Sequence, residues 1–485
     1  MSSPKLTINH LPDELLIEIF DSYRHSNNVQ SHQWCHQSEW FKFIHVCKRW
    51  RAVMFASASR LDLRLVLNRK KGGHMDTMSH LPSLPIDIDY SSRRFDPRTK
   101  KDVDNMTMSM AAALIRPDRI RQITLEGPIE DLRILFRATE GPLPALESLK
   151  IRHESGLYGV DVEIPDTFLE GPNLQLRTLS LHNITLSSIS RLLSSVSALT
   201  SLDLGFCIGD GQAISQLSHL QDVPSLRHLG LNVVSRTSHT TQPTKAQKRF
   251  ILPKLTSFRY EGHSSFLNTL VAGFTAPSLR DVDIKLRYTD DINPPILHLS
   301  RFIEDAGAHC RSVQIIILRF SFHLSLRGPS EYAGHHPLNF KLDTIPIRNT
   351  MVQMSSPFSA MLVTAEELTI HVDNREVEDI VFLWRQFLMQ FPSVKVLRMY
   401  GDHKASSNHG IACALHYDHG GHNLALLPAL EEIELCLGPG LTPAGCAPVL
   451  VAFKPFASAR QQAGLPVQIV TNMRTHHELW RKGQS

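Results

Sequence analysis

Several kinds of chemistry are missing from this sequence. Its seven cysteines (Cys35, Cys47, Cys207, Cys310, Cys413, Cys436, Cys446) are odd in number, scattered and never spaced as CxxC. Neither a disulfide framework nor a four-thiolate zinc site is laid out by such a set. Met1 to His10 lacks the basic segment and apolar run of a secretory leader. Long hydrophobic runs are absent too: the longest, around Ile315–Leu318, is far short of the roughly 20 residues that span a bilayer. Charge of one sign is also lacking. The 51 basic and 47 acidic residues leave a formal net charge of +4 over 485 residues. That balance gives no sequence-wide reason to expect nucleic acid or an anionic membrane as a partner. These absences point to a soluble intracellular chain, cytoplasmic or nuclear, with unpaired thiols and with the sequons at Asn105 and Asn183 unglycosylated.

Catalytic signatures are missing as well. Leu437–Gly445 is glycine-rich but carries no Gly-Lys-Ser/Thr, so it is not a phosphate loop. There is no Gly-x-Ser-x-Gly elbow, no kinase signature set and no His-Glu-x-x-His. The 26 histidines invite a metal hypothesis. The densest group is His416-x-x-His419-x-x-His422, near Asp402, His403, His409 and Asp418. With Gly420 and Gly421 inside it, the group reads as a polar loop, although a zinc site drawn from these donors is the competing reading. His32, Cys35, His36 and Cys47 form a second such sketch, which fails because Cys47 belongs to an apolar face. Arg69–Lys71 and Arg93–Lys101 are short basic runs, read as a solvated linker face, with a nuclear signal as the alternative. No catalytic residue, cofactor or metal is expected.

What the chain does have is a cadence. Leu-x-x-Leu-x-Leu recurs, usually after a proline or small polar residue: Leu146/Leu149/Ile151, Leu176/Leu179/Leu181, Leu199/Leu202/Leu204, Leu226/Leu229/Leu231, Leu255/Phe258/Tyr260 and Leu279/Val282/Ile284. Late copies are Val394/Leu397/Met399 and Leu430/Ile433/Leu435, with weaker ones at Ile120–Leu125, Val313–Leu318 and Ala365–Ile370. From Leu146 to Leu279 the steps are 30, 23, 27, 29 and 24 residues, fitting leucine-rich repeats of roughly 20–29 residues. The expected fold is α/β: an irregular solenoid with short parallel strands on the concave side and helices or loops on the convex side. Ser187–Ser194 and Phe266–Val271 have helical spacing. A closed α/β sandwich is the rival, disfavoured because the cadence recurs so often.

Ahead of the repeats, Leu11–Phe55 reads as a small helical module. Pro12, Asp13 and Glu14 suit a helix start, and Leu15, Leu16, Ile19 and Phe20 follow as an apolar stripe. Trp40, Phe43, Ile44 and Cys47 form a second apolar set. Val46, Trp50, Val53 and Met54 then alternate with Lys48, Arg49 and Arg51. Three short helices enclose too little to stand alone.

Leu11-Pro12-Asp13-Glu14-Leu15-Leu16-Ile17-Glu18-Ile19-Phe20, followed by His45-Val46-Cys47-Lys48-Arg49-Trp50-Arg51, resembles an F-box, with a polar insert at about 24–37. The resemblance implies a three-helix module that docks the Skp-family adaptor and, through it, cullin and RING subunits. The repeats would then hold an unknown protein substrate for ubiquitination, with no nucleic acid and no membrane involved. The matching docking positions are Leu11, Pro12, Leu15, Ile19, Phe20, Phe43, Val46, Cys47 and Trp50, while Leu16, Ile44 and Val53 are read as internal core. The expected boundaries are 1–59 for the module and 60–119 for a linker and first strands. The solenoid takes 120–470, with loop insertions at about 321–361 and 401–423, and a polar tail takes 471–485. Target contacts are expected on concave strand positions and those loops. The alternative is a leucine-rich scaffold with no ligase role.

Overall fold

The computed structural model describes residues 8–28, 39–68, 84–91, 117–138, 142–153, 162–163, 175–185, 189–208, 218–235, 249–286, 311–318, 321–327, 338–343, 358–372, 381–401, 409–416, 426–437 and 447–472, with Met108, Ala111, Leu114 and Phe302. The chain divides into two compact units, residues 1–199 and 200–485. Both are mixed α/β.

The first unit opens with α1 (Asp13–Asn28), α2 (Glu39–Ile44) and α3 (Lys48–Ala56). Leu16, Phe20, Trp40, Ile44, Trp50, Val53 and Met54 form one buried cluster, which Leu61, Leu63 and Leu84 extend toward the strands. Five strands follow in parallel: β1 (Leu65–Asn68), β2 (Ile86–Ser91), β3 (Ile120–Gly127), β4 (Ser148–His153) and β5 (Thr178–His182). Inward residues align across the ladder, as in Leu125↔Ile151↔Leu181. Between β3 and β4, α4 (Ile129–Ala138) buries Leu132, Leu135 and Phe136. Within the segment expected to hold the first strands, β1 starts only at Leu65, because Leu61 and Leu63 are drawn into the helical core.

The second unit carries β6 (Ser201–Ile208), β7 (His228–Ser235), β8 (Ser257–Gly262) and β9 (Asp281–Leu286), parallel and in sequence order. Next come β10 (Ser312–Leu318), β11 (Ser321–Arg327) and β12 (Leu338–Asp343), which enter the sheet in reverse. β12 lies beside β9, and β11 is antiparallel to both β10 and β12. Parallel order resumes with β13 (Glu367–Val372), β14 (Val396–Gly401), β15 (Glu432–Leu437) and β16 (Gln468–Asn472). This corrects the expected loop over 321–361: β11 and β12 are strands of the sheet. The alternation Phe322-His323-Leu324-Ser325-Leu326 has the two-residue period of a half-buried strand, which a search for the repeat cadence passes over.

The cadence itself has a plain mechanical basis. Its leading apolar residue closes a tight turn by donating its N–H to the carbonyl three residues back, as Leu226 does to Val223 (3.3 Å), Leu279 to Ala276 (3.1 Å) and Leu430 to Leu427 (3.0 Å). The next two apolar residues point inward from the strand. All three positions of all eight strong copies are buried. Helices α5 (Ile189–Ser195), α6 (Ser264–Gly273), α7 (Val381–Leu388), α8 (His409–His416) and α9 (Ala447–Gln462) supply further core side chains, among them Leu193, Leu267, Trp384, Ile411 and Phe453. α8 corrects a second expectation. Part of the supposed insertion at 401–423 is a helix that buries Ile411, Ala412, Ala414 and Leu415.

Candidate docking face of the helical module

α1 carries two apolar stripes with different fates. Leu16 and Phe20 are fully buried against α2 and α3. Leu15, Ile19 and Tyr23, spaced i, i+4, i+8, remain 44%, 42% and 40% exposed. They run about 12 Å along the helix axis, bordered by exposed Glu14, Glu18 and Ser22. Pro12 is exposed at the helix start, where its carbonyl accepts the first helical bond from Leu16 N–H (3.2 Å). Val46, in the turn between α2 and α3, is 58% exposed.

The nine residues matched to the motif do not share one environment. Pro12, Leu15, Ile19 and Val46 lie on the surface. Phe20 and Trp50 do not: their rings meet edge-on at 5.1 Å inside the module, and Phe43 lies tilted against both, at 4.9 Å and 6.0 Å. Phe20 and Trp50 are core residues, and the docking role expected of them is withdrawn. Both rings sit in the buried cluster that closes the module, where large aromatic side chains bury the most area per residue.

Cys47 is also reassigned. It caps α3, with extended backbone (φ −158°) and its sulfur accepting from Trp50 N–H at 3.4 Å. Leu11 and Phe43 are half-buried against the core and border the exposed stripe. Leu16, Ile44 and Val53 are internal, as read from the sequence. Tyr23 was missed, although it simply continues the i, i+4 series from Ile19. Its ring packs edge-on against Phe43 at 5.1 Å, making stripe and half-buried rim continuous.

Arg49 holds the two halves of the motif together. Its guanidinium donates to the Leu11 carbonyl (2.5 Å) and to Asp13 Oδ1 (2.6 and 3.1 Å), joining the start of α1 to α3. Arg51 donates to the Ile44 carbonyl at 2.9 Å and fixes the end of α2. The exposed Arg49–Asp13 pair contributes little energy on its own. With the bond to the Leu11 carbonyl it links the start of α1 to α3, beside the packed core that holds the helices together.

A second candidate surface is the polar side of the strands. In the second unit Arg398 bridges Glu434 (2.8 Å) and Glu367 (2.5 Å). Burial works against the guanidinium charge there, but the two carboxylates outweigh it and hold the Arg398 pKa above its ordinary value. Burial raises the Tyr400 phenol well above its usual range, reinforced by Cys436 on the adjacent strand. Burial likewise raises Asp283, partly offset by Arg259 at 3.2 Å. In the first unit Asp87 faces Arg64 at 3.5 Å, and burial brings it to about 6. Residues 328–337 and 344–357 of the first expected insertion lie outside the described residues, as do His403, His419 and His422. Among the described residues no group of three or more His, Cys, Asp or Glu is arranged to hold a metal ion, and no helix is long and apolar enough to cross a membrane.

No family model matches the chain, and no curated protein matches it. Among solved structures it is similar to the leucine-rich repeat-containing protein LegL7 from Legionella pneumophila, at 10% identity and a TM-score of 0.24, over 81% of this chain and 97% of that one. A TM-score that low carries no argument, and the repeat architecture rests on the strand ladders themselves.

Proposed function

We propose that this chain is the substrate-recognition subunit of an SCF-type ubiquitin ligase, with the helical module docking a Skp-family adaptor and the strand repeats holding a protein target. The observation that carries the reading is the second apolar stripe on α1. Leu15, Ile19 and Tyr23 are spared from a core that α1 already completes with Leu16 and Phe20. An apolar stripe left outside a closed core marks a contact surface. The resemblance of the surrounding motif to an F-box supplies the identity of the partner. On this reading the protein contributes proximity. It binds adaptor and target at once, raises their effective concentration and needs no acid or base of its own.

The test is co-purification with a Skp-family adaptor, using substitutions chosen by exposure. Leu15→Asp/Ile19→Asp puts two charges on the stripe without touching the core. A stable one-to-one complex with the wild type, lost in this variant while the chain stays folded, is the expected result. If the folded wild type forms no complex, the ligase reading fails, and the repeats remain a protein-binding scaffold capped by three helices.

A further inference from the structure

The residue just before each strand forms a row of its own, tied across neighbouring strands by backbone hydrogen bonds. In the second unit Arg227 N–H donates to the Thr200 carbonyl (2.8 Å), Thr256 N–H to Arg227 (2.8 Å) and Arg280 N–H to Thr256 (2.9 Å). Further along, Glu366 N–H donates to Arg311, Lys395 to Glu366 and Glu431 to Lys395, each at 2.8 Å. Successive members of the row are therefore one strand spacing apart, about 4.8 Å.

The two stretches differ in charge. Arg311, Glu366, Lys395 and Glu431 alternate in sign and neutralise one another, with Arg311–Glu366 at 3.4 Å and Lys395–Glu366 at 3.1 Å. Thr200, Arg227, Thr256 and Arg280 hold two cations and no acid. Lys254, in the turn two residues before Thr256, adds a third. All three cations are exposed, and among the described residues none of them makes an ion pair. Of the acids on the same elements, Asp281 accepts from Ser257 Oγ (2.9 Å), Asp283 pairs with Arg259 (3.2 Å) and Asp222 lies 3.4 Å from His219 Nδ1.

We propose that Arg227, Lys254 and Arg280 form a docking site for an extended peptide segment carrying two oxyanions three residues apart. Two strand spacings separate Arg227 from Arg280, about 10 Å. In a polyproline-type extended chain, side chains three residues apart lie on one side and about 9 Å apart. Such a segment, lying across the strand ends, sets one oxyanion on each guanidinium, with the Lys254 ammonium between them. Thr256, the middle member, leaves room for the intervening residues. Arginine suits this task because its planar fork pairs bidentately with phosphate or carboxylate. A nucleic acid is a poorer match, because its affinity grows with the number of phosphates that cations neutralise. Among the described residues only three unpaired cations stand here, a short row that suits a short segment better than a long polyanion.

The test is fluorescence anisotropy on the full-length chain. The probe is a labelled Gly-pSer-Pro-Pro-pSer-Gly peptide, compared with its Glu-for-pSer and unphosphorylated forms. The phosphopeptide should bind, weaken as ionic strength rises, and lose about tenfold in affinity for each arginine replaced in Arg227→Ala and Arg280→Ala. Arg311→Ala, in the self-neutralised stretch, should leave binding unchanged. Binding of the Glu form assigns the site to acidic as well as phosphorylated segments, and its absence assigns it to phosphorylated ones alone. Circular dichroism of each variant separates lost binding from lost fold. Equal binding of the unphosphorylated peptide, indifference to both arginine variants, or preference for a DNA duplex or anionic vesicles overturns the proposal. The assay contains no adaptor, so its failure leaves the docking reading of α1 standing, and the converse holds.

Discussion

Arg460 offers the sharpest test of how the last repeat is closed. Although it is an arginine, it is only 2% exposed. Its guanidinium donates to four carbonyls: Leu427 (3.1 Å), Pro428 (3.1 Å), Leu430 (3.0 Å) and Leu465 (3.2 Å). Three of these lie in the turn leading into β15, where Leu427 adopts positive φ (48°), and the fourth leads toward β16. Burial lowers the Arg460 pKa, but from so high a value that the group stays charged at neutral pH. Two effects oppose each other in Arg460→Met. Removing a buried charge that has no carboxylate partner among the described residues relieves several kcal/mol of desolvation. Losing four charge-assisted bonds, each about 1.5–3 kcal/mol, and orphaning carbonyls in a buried turn costs more. The net expectation is a loss of about 3 kcal/mol, confined to the last repeat because a repeat array couples mainly to nearest neighbours. Hydrogen exchange reads this directly. The amides of Leu430 and Gln468 should exchange about a hundredfold faster in the variant, while those of Leu202 and Leu229 keep their protection. Unchanged exchange at Gln468 would refute the clamp, and acceleration spread evenly to Leu202 would refute its locality.

Three further expectations concern other parts of the fold. Asp87 titrates near 6 in the folded chain, against about 4 when unfolded. The folded form holds the proton more tightly, so stability should fall as pH rises from about 4 to 6, by about 3 kcal/mol in all. Asp87→Asn should flatten that slope and raise the thermal midpoint at pH 7.5, as seen by comparing melts at pH 4.5 and 7.5. A Cβ added at Gly262 would lie 2.6 Å from the Val233 carbonyl oxygen, whereas one at Gly230 would meet the movable end of Asp203. Gly262→Ala should therefore cost about 1–3 kcal/mol and Gly230→Ala distinctly less, compared by denaturant midpoints. Trp50→Ala should destabilise the helical module by about 3–5 kcal/mol, detected as lost near-ultraviolet dichroism and protease cleavage within residues 11–56, whereas Leu15→Asp should leave both unchanged.

Sequence alone carried the repeats well, because each cadence position is fixed by a local rule. A leading residue closes a turn, and two inward residues then follow at strand period. Leu226, Leu229 and Leu231 need no tertiary information to be recognised. β11 was passed over because its two-residue alternation lacks the repeat cadence, and the antiparallel, reversed place of β11 and β12 in the sheet is a property of the sheet and not of either segment. α8 was hidden because small residues such as Ala412 and Ala414, between glycine- and histidine-rich flanks, read as a loop until packing gives them a face. In the helical module the motif marked which residues matter but not which way they point. Phe20 and Ile19 are adjacent and equally apolar, and only the placement of α2 and α3 decides that Phe20 enters the core and Ile19 stays outside. The same blindness hid the role of Cys47, whose capping bond to Trp50 depends on a backbone angle.

The central claim, that the outer stripe of α1 is a docking face, is tested most directly by titrating purified Skp-family adaptor into the full-length chain in a calorimeter. Beside the wild type go Ile19→Asp and Phe382→Asp, the latter an equally polar change at an exposed position on α7. The account predicts a saturable one-to-one isotherm for wild type and Phe382→Asp, and affinity at least about tenfold weaker for Ile19→Asp. Equal affinity for all three, or no heat with folded wild-type protein, would contradict it.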